Sequence, residues 1–218
     1  MKHTQSPIPA SLKRPLAVLA LAGLSAFGLA TGAQAATSTS VTYDAQATAV
    51  GQTGDFTVGA TVTGDAPSSV AADSSLAVTL SVGSITVPTS ADGYTVTEIK
   101  GIALQIPVPA DSTYDSASLA GGSDFGSGTP SVSESAGVIT IDVPGPISSG
   151  TTFTLPTLTL NLTSGAAGGT IDTALSGTSY SSPGLTFTAV LSFIGIPIDA
   201  SAVGYPSTSP TLTSTTIS

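Results

Sequence analysis

The sequence predicts an all-β protein with an antiparallel sandwich or barrel, and three observations support this prediction. Roughly a third of the residues after Ala36 are Ser or Thr, with Val, Ile and Leu interspersed among them. Apolar and polar residues alternate with period two, which is typical of strands with one buried face. Turn-forming pairs interrupt these runs, at Asp92-Gly93, Gly121-Gly122, Ser176-Gly177 and Pro183-Gly184.

The N-terminal residues have the pattern of a secretory signal peptide. Its basic region, apolar run and small-x-small cleavage site are Lys2, Lys13 and Arg14, then residues 16–29, then Ala33-Gln34-Ala35. We expect residues 1–35 to be removed, so that the mature chain begins at Ala36. A retained anchor is the weaker alternative, because the apolar run is about 14 residues and a bilayer span needs roughly 20.

The mature chain reads as a series of short strands. In one of them Val78, Leu80 and Val82 alternate with Thr79 and Ser81. The predicted strands are residues 40–49, 55–63, 76–88, 94–106 and 114–119, followed by 137–143, 152–163, 170–175, 185–194, 198–204 and 211–217.

The chain also aligns with itself as two copies of a unit of about 90 residues. Four blocks recur in order. Val41-Thr42-Tyr43-Asp44, Phe56-Thr57-Val58, Gly93-Tyr94-Thr95-Val96-Thr97 and Ile106-Pro107-Val108-Pro109-Ala110 match Ile139-Thr140-Ile141-Asp142, Phe153-Thr154-Leu155, Gly184-Leu185-Thr186-Phe187-Thr188 and Ile196-Pro197-Ile198-Asp199-Ala200. Chance alignment of Thr-rich segments is the alternative. The Gly-rich and Ser-rich residues 121–130 form the predicted boundary. We therefore expect two modules, residues 37–127 and 128–218, or else one large sandwich.

Residues 143–156, which begin Val143-Pro144-Gly145-Pro146, and the later Gly204-Tyr205-Pro206 resemble uncharacterised secreted proteins of Gram-positive bacteria that carry tandem immunoglobulin-like sandwich modules. The resemblance implies two antiparallel immunoglobulin-like β-sandwich modules. It brings no family active site, and this chain lacks the Cys and Trp of immunoglobulin domains.

The charge of the mature chain limits its partners. Lys100 is the one cation after the signal peptide and stands against 13 acidic residues, which gives a net charge of −12. Nucleic-acid binding needs clustered Lys or Arg, so we expect no nucleic-acid partner. Anionic headgroups would also repel the chain, so we expect no membrane partner after signal cleavage.

Catalytic residue types are scarce. The mature chain has no His, Cys or Arg, since His3 lies in the signal peptide, and this removes the bases and thiolates used by most nucleophilic enzymes. We expect no catalytic activity. A hydrolase that uses paired carboxylates, with Glu98 and Glu134 as candidates, is the alternative. Glu98 and Lys100 also interrupt an apolar alternation, as an inward ion pair or because a β-bulge at Lys100-Gly101 shifts the phase.

Asp111, Asp115 and Asp124 are the candidate calcium ligands, because they lie close together in sequence near the predicted boundary. No regular calcium-binding loop is present, and scattered surface acids are the favoured explanation of the three. We therefore expect no cofactor, with calcium as the alternative.

These observations predict a secreted or non-covalently wall-associated protein that acts in surface binding, adhesion or envelope structure. Its partner would be a cell-wall glycan, a protein or another copy of the chain. Two alternatives are the carboxylate hydrolase and a carrier of an apolar ligand, which would need a sandwich whose sheets are held apart.

We predict that cleavage occurs between Ala35 and Ala36. The intact mass of the extracellular protein should match residues 36–218. A product that retains residues 1–35 would contradict secretion by this route.

Overall fold

The computed structural model describes residues 36–91 and 93–218, in which the backbone forms strands, turns and loops. The predicted signal peptide, residues 1–35, lies outside the described residues. The described ranges contain no helix long and apolar enough to cross a membrane.

The predicted all-β class is confirmed. The strands are β1 (Thr37–Ala49), β2 (Gln52–Asp65), β3 (Ser69–Val70), β4 (Ser75–Val82), β5 (Ile85–Thr86), β6 (Ser90–Ala91), β7 (Tyr94–Pro107), β8 (Ser112–Ala120), β9 (Ser131–Ser135), β10 (Val138–Val143), β11 (Ile147–Ser148), β12 (Thr152–Phe153), β13 (Thr157–Ser164), β14 (Thr170–Thr173), β15 (Leu185–Phe193), β16 (Ile196–Pro206) and β17 (Thr213–Ile217).

Each predicted strand overlaps an observed one, and two of them are divided. The predicted strand 76–88 breaks at Gly83 into β4 and β5, and the predicted strand 152–163 breaks at Pro156 into β12 and β13. Proline lacks the amide that a sheet interior needs, which explains the second break. The sequence reasoning missed β9, which lies just after the predicted boundary, and the two-residue strands β3, β6 and β11.

One large antiparallel sheet dominates the fold. Its strand order is β8-β13-β4-β2-β1-β16-β15-β7-β10-β9, and both β6 and β11 pair with β7. The two end strands, β8 and β9, lie against each other, so the sheet is nearly closed. Two small sheets accompany it, one of β5 and β12 and one of β14, β17 and β3.

The two-module arrangement is not confirmed, because the large sheet interleaves strands from the two halves of the chain. Strand β1 pairs with β16, β4 pairs with β13, and β7 pairs with β15 and β10. These pairings cross the predicted boundary between residues 127 and 128. The repeated blocks also occupy different environments: Ile106 is buried at the end of β7, whereas Ile196 is exposed at the start of β16.

The part of the interior next to β10 and β13 is densely packed. Leu158, Leu160 and Leu162 on β13 are fully buried, and Ile139 and Ile141 on β10 join the same apolar cluster. Alternation explains this arrangement, because every second residue of each strand faces inward. Burial of large aliphatic side chains is therefore the main stabilising contribution here.

Two irregularities in β7 place its charged residues. The pairing with β15 shifts between Val190 and Leu191 and again between Thr186 and Thr188, opposite Lys100. Gly101 has a φ of 61°, which glycine adopts readily. The bulge predicted at Lys100-Gly101 is confirmed.

Because of that bulge, Lys100 lies outside the core. Its Nζ is 3.1 Å from an Asp199 carboxylate oxygen, and both side chains are exposed. The partner of Lys100 is therefore Asp199 on β16, and not Glu98 on its own strand. Exposed pairs of this kind contribute about 0–1 kcal/mol.

The interleaved sheet predicts that neither half of the chain folds alone. A fragment of residues 36–127 loses the partners of β1, β4 and β7 that lie in the second half. We expect fragments 36–127 and 128–218 to show no cooperative urea transition by circular dichroism, whereas the mature chain 36–218 shows one. A cooperative transition in either isolated fragment would support the two-module hypothesis instead.

Candidate functional site

Four adjacent strands of the large sheet carry small residues on their inner face. In the order β2, β1, β16 and β15, alanines lie among larger inward-facing residues such as Val58 and Leu191. Ala47 is paired with Ala202 and Ala189 with Ala200, while Ala60 lies opposite Val41. These side chains do not reach the middle of the enclosed space, so the interior is incompletely filled.

The space left by these alanines is a cavity of about 790 Å³. Cavities that bind small molecules usually measure about 300–1,000 Å³. The small β5–β12 sheet forms another part of the cavity wall through Ile85 and Phe153. Val87 and Leu155, which follow β5 and β12, also line the cavity. No Asp, Glu, Lys or Arg is among the lining residues in the described part of the chain. The site is therefore apolar and uncharged.

Two aromatic rings extend the apolar surface of the alanine wall. Phe56 on β2 and Phe187 on β15 both line the cavity, and their ring centroids lie 6.3 Å apart in an edge-to-face arrangement. Edge-to-face pairs of this kind are favourable. They give the wall flat surfaces against which an aliphatic or aromatic molecule can pack.

The cavity opens at the end of the sheet where β1 turns into β2. Val41, deep in the cavity, is 2% exposed, whereas the lining residues Phe56, Tyr94 and Val50 are 36%, 42% and 81% exposed. Exposure thus rises along β1 toward the turn at Val50-Gly51. A ligand would enter from this end.

Tyr43 is the deep polar group of the cavity wall. It lies seven residues before Val50 on β1, about 23 Å along the strand. Its hydroxyl is buried and has no hydrogen-bond partner among the described residues. Burial raises the pKa of the Tyr43 phenol above its ordinary value of 10.0, so the group stays protonated.

Other buried hydroxyls in residues 36–91 and 93–218 have partners. The Thr213 hydroxyl donates to Thr173 at 2.9 Å, and the Thr215 hydroxyl donates to the carbonyl of Pro67 at 2.6 Å. Buried polar groups are normally paired in this way, because an unmade hydrogen bond costs free energy. The unpaired hydroxyl of Tyr43 is therefore an exception located at the cavity.

The candidate calcium ligands do not form a cluster. Asp111 accepts a hydrogen bond from the Thr170 amide at 3.3 Å, and Asp115 accepts one from the Thr163 hydroxyl at 2.8 Å. Asp124 lies in the loop before β9 with a φ of 57°. Across residues 36–91 and 93–218, no three Asp, Glu, His or Cys side chains are grouped so that they could hold a metal ion.

The two glutamates are also far apart. Glu134 on β9 lies level with Ile106 of β7, whereas Glu98 is eight residues earlier on β7, about 26 Å along the strand. The carboxyl pair of a glycosidase is separated by about 5–10 Å. Glu134 accepts a hydrogen bond from the Gly137 amide at 2.8 Å, within its own hairpin.

Sequence reasoning missed the alanine wall. The alternation of Ala45, Ala47 and Ala49 on β1, and of Ala200 and Ala202 on β16, is visible in the sequence. However, small residues leave a cavity only if they face other small residues across the sheet, and the pairing of β1 with β16 is not a local property.

Comparison with known proteins gives one finding on the fold. No protein-family model and no curated protein matches this chain. A crystal structure titled "Putative membrane anchored protein", from Corynebacterium diphtheriae, is similar with a TM-score of 0.56 and 17% sequence identity. The similarity covers 84% of this chain and 38% of that one, so this chain spans well under half of the protein it resembles. The shared property is the fold.

Proposed function

We propose that the mature protein is a non-catalytic binding protein of the cell exterior that holds an apolar ligand in the cavity of the large sheet. The observation that carries this proposal is the cavity itself, which is large, uncharged and open at one end. Of the functions considered from the sequence, the apolar-ligand carrier needs such an interior.

The chemistry of the lining defines the ligand class. Burial of an unpaired charge in an apolar site is costly, so the enclosed part of the ligand is uncharged. Alanine and phenylalanine side chains offer contact area without polar selectivity, which suits an acyl chain or a fused-ring hydrocarbon.

Two further observations support an extracellular location. Residues 1–35 have the pattern of a secretory signal peptide. The structurally similar Corynebacterium protein is titled as membrane anchored, which suits a role at a Gram-positive cell surface.

We expect the mature chain to bind N-phenyl-1-naphthylamine, an uncharged apolar fluorophore, with saturable enhancement and one site per chain. The double substitution Ala47→Leu with Ala189→Leu places two larger side chains in the cavity, and we expect it to weaken binding at least about tenfold. Fluorescence titration measures both effects, and displacement by palmitic acid tests an acyl chain directly.

Ala77→Leu is the matched control. It makes the same chemical change away from the cavity, because Ala77 is exposed on the outer side of β4. We expect this control to bind the fluorophore as the unmodified chain does. If the filled variant stays folded and binds with unchanged affinity, the cavity is not the site.

Tyr43→Phe is expected to raise the free energy of unfolding by about 1 kcal/mol at pH 7, since it removes a buried donor that has no partner. The pH dependence has a definite sign. The pKa of Tyr43 is higher in the folded chain than the ordinary 10.0, so above pH 10 the phenol ionises more readily in the unfolded chain, and the free energy of unfolding declines as the pH rises.

Tyr43→Phe should therefore lose less stability above pH 10 than the unmodified chain does. Urea unfolding on either side of that pH measures the difference. A variant that is clearly less stable at neutral pH would show that the hydroxyl has a stabilising partner.

A further inference from the structure

The exposed apolar residues of the described chain are concentrated at one end of the large sheet. The six large ones are Val50, Phe56, Tyr94, Phe193, Ile194 and Ile196. Val50 and Ile194 occupy the tips of the β1–β2 and β15–β16 hairpins and are 81% and 85% exposed. We call these six residues the rim, because they surround the open end of the cavity.

The rim spans neighbouring strands. In the sheet order, β1 lies next to β16, and Thr48 pairs with Ser201, so the tip at Ile194 projects a few residues beyond the tip at Val50. Tyr94 begins β7 beside Phe193, and their ring centroids are 5.8 Å apart. Tyr94 and Phe193 are therefore in contact, and the hairpin that carries Val50 lies next to the hairpin that carries Ile194.

The backbone at both tips is unfavourable for the residues that occupy it. Val50 and Ile194 each have a φ of 49° and are followed by glycines with φ of 75° and 79°. Two-residue hairpin turns with positive φ at both positions strongly prefer Asn-Gly or Asp-Gly. A β-branched residue at positive φ is an outlier that costs free energy, and such residues often mark functional sites.

A third hairpin serves as an internal comparison. The β9–β10 turn, Ala136-Gly137, has the same backbone pattern, with φ of 51° and 79°. It lies at the opposite end of the sheet, where Val138 pairs with Pro107 at the end of β7. That turn carries a small residue, so among the described residues large β-branched side chains occupy this strained position only at the rim.

The absence of charge at the two hairpin tips limits which kind of partner can bind them. Residues 47–54 and 186–198 contain no Asp, Glu, Lys or Arg, while the mature chain as a whole has a net charge of −12. An electrostatic partner would find no charge to pair with within these two tip segments, whose nearest flanking acids are Asp55 and Asp199. Projecting tips also lack the flat complementary surface of a protein interface, but they fit into a fluid apolar layer.

We propose that the rim inserts into the acyl layer of a lipid surface and holds the open end of the cavity against it. Insertion buries the Val50 and Ile194 side chains, which are exposed although they are large and apolar. It also gives an apolar molecule a path from the lipid into the cavity without crossing water. This differs from the sequence expectation of no membrane partner, which considered only anionic headgroups.

The test uses the mature chain 36–218 and vesicles of phosphatidylcholine. Co-sedimentation measures the fraction of protein bound to the vesicles. Ile194→Asn replaces an apolar side chain by the residue that this turn prefers. We expect it to lower the vesicle partition coefficient about tenfold while the thermal midpoint stays equal or rises. Val50→Asn should act in the same direction, and the double variant should lose more.

Ala136→Asn is the matched control, because it makes the preferred turn at the opposite end of the sheet. We expect it to raise the thermal midpoint without changing vesicle binding. Added salt should leave binding unchanged, since the contact is apolar, and phosphatidylglycerol should not increase it.

Two results would overturn the proposal. One is vesicle binding that is absent, or that is equal in the unmodified chain and in the folded double variant. The other is a lipid-free dimer, detected by analytical ultracentrifugation, that dissociates in the double variant, since the rim would then pair two copies. Ile194 does not line the cavity, so fluorophore binding in solution tests the proposed function separately.

Discussion

Side chains from its own strands must fill the interior of a nearly closed sheet. The cavity of this structure exists because different strands contribute side chains of different size. Leucines on β13 and isoleucines on β10 are buried against one part of the interior, whereas the alanines of β1, β2, β15 and β16 leave space in another part. Close packing in the first part supplies the stabilisation that the second part forgoes. The cavity is therefore a consequence of side-chain size within one regular sheet, and it needs no separate domain.

The fold class and most strands follow from local pattern, while the pairing of strands does not. Alternation in residues 76–82 and 157–164 locates β4 and β13, since period two is visible in any short window. Nothing local indicates that β1 lies beside β16, because Tyr43 and Pro206 are distant in sequence. The internal repeat suggested a boundary near residue 127 because similar strands recur, although the sheet interleaves them.

The candidate site was harder to predict for the same reason. The sequence directed attention to Glu98, Lys100 and the aspartates, because charged side chains carry most recognisable chemistry. The bulges in β7 instead place Lys100 at the surface beside Asp199, and the interior is lined by residues without titratable groups apart from tyrosine. A cavity made from alanine has no sequence motif, since alanine is informative only once its neighbours across the sheet are known.

An exposed apolar rim normally carries a risk of self-association, and the charge of this chain bears on that risk. Contiguous apolar surface promotes aggregation, whereas a net charge far from zero keeps molecules apart in solution. With 13 acidic residues against one Lys in the mature chain, repulsion acts over the whole surface, while the two hairpin tips carry no charge themselves. Repulsion between copies weakens rapidly beyond about 10 Å at moderate salt. An uncharged lipid surface meets no such barrier, so the same charge distribution that disfavours contact between copies leaves the rim free for lipid.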